Sequence, residues 1–154
     1  MELDPKEYVK TMELLKKIDF FANVSDDDLR GVLLSLQKQG FGANKTILFQ
    51  GEIANRLFII VQGSVAISSR KKGQNLVLAE LKAPAYFGEI SLLRPMAATA
   101  TANAGDAGAE LIILTHEAMT ELSKRLPDIH TRIQTVIDSR LASSKKAHEI
   151  DEAN

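Results

Sequence analysis

Between Phe41 and Thr115 the chain is written in short β-prone runs cut by Gly and Asn, and this alternation limits the folds open to it. The runs TILFQ (46–50), LFIIVQ (57–62), SVAISS (64–69), LVLAEL (76–81), TATANA (99–104) and ELIILT (110–115) predict strands. The segments QGEIAN, Gly63, RKKGQN and GDAG predict the turns between them. Many short strands at such spacing point to a small antiparallel barrel or jelly roll. The three basic residues of RKKGQN suit a solvated hairpin tip better than a nucleic-acid patch, because no aromatic residue interleaves with them.

Helical patterns flank this region. Val9, Met12, Leu15 and Ile18 recur at helical spacing. A second helix is signalled by Ser25 as its cap, Asp26, Asp27 and Asp28 at its positive end, and a stripe of Leu29, Val32, Leu33 and Leu36 before Gly40. The acidic triplet is better explained by capping than by a metal, since opposed ligands are lacking. After the β-rich region a short helix is predicted over 116–125. Pro127 then suits a first helical position, and Ile129, Ile133, Val136, Ile137 and Leu141 line one face of a longer helix. The tail SSKKAHEIDEAN loses the stripe and is expected to fray. Residues 1–154 therefore predict one domain: helical over 6–40, a β-roll over 41–115 and C-terminal helices over 116–145.

Several function classes are disfavoured. The net charge of −1 gives no general attraction to a polyanion, and the lack of cysteine removes disulfides and thiolate metal sites. No apolar run approaches the roughly 18 residues that a membrane span needs, and the acidic start MELDPKEYVK lacks the layout of a secretory signal. The expectation is a soluble, cytoplasmic protein without a membrane partner. His116, His130 and His148 all fall outside the predicted strands, so an inward-facing metal set on a barrel is not expected. No Gly-x-Ser-x-Gly elbow is present, and catalysis is not expected.

The stretch FGEISLLRPMAATATA (87–102) carries the strongest site signal. Gly88 lets backbone approach a ligand closely. If Glu89 to Leu93 form a helical turn, its free N–H groups favour an anion, while the Glu89 carboxylate calls for a hydroxyl donor. A plain turn with a surface glutamate remains the alternative for these residues alone.

In wider order, the segments LLKKIDFFANVSDDDLRGVL, ILFQGEIANRLFIIVQGSVAI, LAELKAPAYFGEISLL and AATATA resemble the cyclic-nucleotide-binding domain family, from about Leu14 to Leu141. The Gln50–Gly51 turn, the strand ending Phe58 to Gly63 and the Phe-Gly-Glu-Ile-Ser-Leu-Leu run carry the likeness. The resemblance implies a mainly β fold with flanking α-helices, an eight-stranded jelly roll holding a phosphate-binding cassette. It implies that Glu89 accepts from a ribose hydroxyl and that the Ile90 and Ser91 amides face a cyclic phosphate. Aligning the family's ending on Ala97, Ala98 and Thr99 puts Met96 where an arginine pairs with that phosphate, in a stretch two residues shorter than usual. Ala97 in place of a threonine leans any preference toward cAMP. Ala43 for a Pro-Gly turn and KAPAYF for a Gly-rich approach are further departures. Arg94 is the nearest cation, either turned toward the phosphate or simply solvated.

The expected function is a regulatory module that binds cAMP or a related phosphate ligand weakly or unusually, through Gly88, Glu89, Ile90, Ser91, Arg94, Met96, Ala97 and Ala98, and that uses no other cofactor. The C-terminal stripe either packs on its own barrel or pairs with a second copy, and a homodimer through 129–141 is expected. The alternatives are a ligand-free interaction module that keeps the fold, or the effector half of a transcription regulator. No stretch after Leu141 is long enough for a helix-turn-helix, so direct DNA binding is not expected.

Overall fold

The computed structural model describes residues 5–19, 21–22 and 24–139. Leu141 and the predicted fraying tail lie outside them. In chain order the elements are α1 (Pro5–Lys16), α2 (Asp26–Leu34), β1 (Gln37–Phe41), β2 (Thr46–Leu48), β3 (Ile53–Ala54), β4 (Arg56–Lys71), β5 (Gln74–Lys82), β6 (Tyr86–Phe87), α3 (Glu89–Leu93), β7 (Met96–Ala97), β8 (Thr101–Thr115) and α4 (His116–Arg125). A further helix, α5, covers 127–139. The protein is thus mainly β with helices at both ends, as expected.

All strand pairs are antiparallel. The main sheet runs β1-β8-β4-β5, with β2 also on β8 and β6 also on β4, while β3 and β7 form a separate two-stranded ribbon. The predicted strands need two corrections. LFIIVQ and SVAISS are one 16-residue strand, β4, and TATANA from Thr101 onward is joined to ELIILT in the 15-residue β8. The glycines that suggested turns are bends within these strands. Gly63 has φ +83°, and a Cβ there would run into the Gly108 carbonyl oxygen of the paired strand. The ladder shifts register on either side of it, between Ile60 and Gln62 and between Gly63 and Val65. Bends and bulges of this kind curl a long strand without ending it.

The helical zone also ends earlier than residue 40. Ser35 closes α2, and Gln37–Phe41 pairs with β8 from Ile113 to Ala109. QKQG has no strand pattern of its own, so long-range pairing decides its state. The RKKGQN tip behaves as predicted: Lys72 and Gly73 both have positive φ, as a two-residue hairpin turn requires, and residues 70–75 are exposed. β5 beyond it is an edge strand on which Leu76, Val77 and Leu78 stay exposed.

Two apolar cores lie on either side of the sheet. On β4, Phe58 and Ile60 point into the roll while Leu57 and Ile59 point to the helices; on β8, Leu111 and Ile113 point inward while Ile112 and Leu114 face the helices. Both faces are covered, which explains why LFII and LIIL are unbroken apolar runs. The helical core joins Leu15 of α1, Leu29 and Val32 of α2, Leu92 of α3, Leu122 of α4, and Ile129, Ile133 and Ile137 of α5. Each such side chain contributes about 1.5–3 kcal/mol when removed from water. The described part of the C-terminal stripe is therefore buried within its own chain, so exposed isoleucines are no longer a reason to expect a dimer through 129–141.

The Ser25 cap predicted from the sequence is present, and Thr115 supplies a second cap that was not predicted. Ser25 Oγ accepts from the Asp28 N–H at 3.2 Å, and Thr115 Oγ1 caps α4 by accepting from Ala118 N–H at 3.0 Å. The acidic triplet is a helix start, and no cluster of three metal-ligating side chains occurs among the described residues. No described helix is long and apolar enough to cross a membrane.

Candidate functional site

The site forms where β6 hands the chain to α3. Phe87 pairs with Phe58 of β4, and their rings stack with centroids 4.8 Å apart. Gly88 then takes a left-handed conformation, φ +84° and ψ +13°, as the N-cap of α3. A side chain is excluded there because a Cβ would collide with the Arg56 carbonyl oxygen. The same corner is tied by Ser91, whose Oγ lies 2.8 Å from the Gly88 carbonyl and 3.3 Å from that of Arg56. Ser91 is buried at 4% exposure, and Leu92 beside it is fully buried and anchors α3 in the helical core. The first N–H groups of a helix have no partner within it, and here they belong to residues that border a cavity.

Beyond α3 the chain doubles back as a strap. Ala54 pairs with Met96 and Ile53 with Ala97, while the Gly51 N–H donates to the Ala98 carbonyl and the Ala98 N–H to the Glu52 carbonyl, each at 2.8 Å. Gln50 secures the turn that carries Gly51. Its Oε1 accepts from the Arg70 N–H at 2.8 Å, and its own N–H donates to Thr101 Oγ1 at 2.9 Å.

Strap, corner and roll line an open cavity of about 260 Å³. Gly88, Glu89, Ile90, Ser91, Met96, Ala97 and Ala98 all line it, so seven of the eight expected site residues come together. Arg94 does not. Its backbone is extended at the end of α3, and its guanidinium Nη2 lies 3.9 Å from Asp138 Oδ1 on α5, with both side chains largely in solvent. Leu48, Ala54, Ile67 and Phe87 complete the wall, with the start of β8 from Thr101. Leu48, Ala54 and Ile67 carry no local site signal in the sequence and reach the cavity only through strand pairing. Among the described residues that line it there is no Lys, Arg or His.

α3 is also wired to the helix after the roll. The His116 Nδ1 lies 2.7 Å from the Leu92 carbonyl, and the His116 N–H donates to the Asn55 carbonyl at 2.8 Å. The start of α4 is thus held by both the cassette helix and the loop before β4.

A glycine-cornered short helix, a strap of small residues and a roll behind them together frame a pocket for a small ligand. The family model for the cyclic nucleotide-binding domain matches residues 38–125, and the chain belongs to that family. It is 28% identical over 136 residues to a cAMP-dependent protein kinase regulatory subunit of Mycosarcoma maydis, covering 86% of this chain and 26% of the relative. A cAMP-dependent protein kinase regulatory subunit of Dictyostelium discoideum is 33% identical over 102 residues, covering 62% of this chain and 29% of that one. The chain thus spans only between a quarter and a third of these curated relatives. The crystal structure of Thermus thermophilus catabolite activator protein superposes with a TM-score of 0.78 at 25% identity, covering 88% of this chain and 63% of that one.

Proposed function

We propose that this chain is a non-catalytic, cytoplasmic regulatory module whose cyclic-nucleotide pocket keeps its backbone frame but lacks the cation that would hold a phosphate, so that cAMP binds weakly. The observation that carries this is the composition of the cavity wall: Met96 stands in the strap at the arginine position of the resemblance, while Arg94 turns away to Asp138. A charge-assisted hydrogen bond contributes about 1.5–3 kcal/mol, and a buried charge left without its partner costs about 3–5 kcal/mol. At roughly 1.4 kcal/mol per tenfold, cAMP affinity falls by about tenfold to several thousandfold relative to a pocket with the arginine. Ligand occupancy would be passed on through the His116–Leu92 hydrogen bond to α4.

Calorimetric titration tests this directly. Met96→Arg should strengthen cAMP binding by at least about tenfold, because it returns a charged donor to the wall. Arg94→Ala should leave cAMP binding unchanged, since that side chain is directed at α5. Sub-micromolar cAMP binding that ignores both substitutions would show that the arginine position has been misplaced.

A further inference from the structure

The chemistry of the cavity bears on the charge of its occupant, granted the cyclic-nucleotide reading of the site. Hydrocarbon dominates the wall: Leu48, Ile67, Phe87, Ile90 and Met96 supply the large surfaces, and alanines much of the remainder. A phosphodiester that leaves water for such a wall loses its hydration and needs a cation in return. The described lining offers none. Two nearby guanidinium groups are placed elsewhere, Arg94 toward Asp138 and Arg56 over the Phe58 ring at 5.1 Å from its centroid.

The one formal charge among the described lining residues has the wrong sign for an anion. Glu89 is a carboxylate, and an ionised carboxylate only accepts hydrogen bonds. It has interactions within the protein, and a carboxylate's two oxygens can accept at about four lone-pair sites in all. Phosphate oxygens cannot donate to it, whereas neutral hydroxyls can. Met96 adds a polarizable thioether, which packs well against the face or edge of an aromatic ring.

We infer that the site selects an uncharged, hydroxyl-bearing ligand of nucleoside type over a cyclic nucleotide, with Met96 as the residue that sets this preference. The minimal comparison is adenosine against cAMP, which share base and ribose and differ in charge. In titrations of the unmodified protein, adenosine should bind at least about tenfold more tightly than cAMP. Met96→Arg should raise cAMP affinity by at least about tenfold and so cut adenosine's lead by at least as much, with loss of the thioether weakening adenosine further. Raised salt should leave adenosine binding to the unmodified protein unchanged, since no charge is neutralised.

A smaller margin for adenosine, or tighter cAMP binding, in the unmodified protein overturns the inference and leaves the cyclic-nucleotide reading standing. So does cAMP binding to Met96→Arg when adenosine binds neither protein. If neither ligand binds either protein, both the inference and the reading fall. Should Met96→Arg fail to fold, the order of the two ligands on the unmodified protein decides the inference alone.

Discussion

Alanine at Gly88 is expected to lower the melting temperature by roughly 5–20 °C and to abolish whatever ligand binding the unmodified protein has. Two separate penalties meet at this position. The backbone sits at φ +84°, where a side chain costs about 1–3 kcal/mol. The added methyl would also strike the Arg56 carbonyl oxygen, a backbone atom of β4 that cannot swing away as a flexible side chain would. Forcing extra volume into a packed region costs about 1–3 kcal/mol more. For a domain of this size each kcal/mol is worth about 2–4 °C. The function suffers more than the stability, because relief requires the corner to move away from β4. Such a shift breaks the Ser91 contact to Arg56 and displaces the amides that border the cavity. Circular dichroism melts together with cAMP and adenosine titrations check this. A Gly88→Ala protein that melts and binds as the parent does would mean that the corner does not have this geometry.

The parts of the fold that depend on neighbours in sequence were legible, and those that depend on distant partners were not. Ser25 and the apolar stripes specify α2 and α5 through contacts within a few residues. The hairpin tip at Lys72–Gly73 is equally local. By contrast, Gly63 and the GDAG segment look like turns in the sequence, yet β4 and β8 pass through them, because the pairing of the two strands outweighs the local break. β1 has no apolar alternation at all and exists through its ladder to β8. The two-residue strands β3, β6 and β7 are too short to leave a periodic signature.

The site divides in the same way. Gly88 to Ser91 and Met96 to Ala98 are contiguous and could be placed from the sequence. Leu48, Ala54 and Ile67 come from other strands and could not. Arg94 shows the limit of proximity in sequence. It is two positions from Met96, but an extended residue at the end of α3 turns its side chain outward to α5.

Placing a glutamate at Ile133 should unfold the domain or remove its cooperative melt, while leaving no trace of a dissociating dimer. Ile133 has no exposed surface, and it belongs to the core that also holds residues of α1, α2, α3 and α4. The substitution forfeits about 1.5–3 kcal/mol of burial and adds an uncompensated buried charge, which costs several kcal/mol more. The sum reaches the whole stability of an ordinary domain, about 5–15 kcal/mol. Ile133→Ala supplies a graded companion, with an expected loss of about 2–5 kcal/mol and a retained fold. Light scattering on the parent and on Ile133→Ala should give the same mass, because the side chain is covered from within the chain. If instead Ile133→Glu melts like the parent and halves the mass, the α5 face is an interface between copies, and α5 does not pack within its own chain.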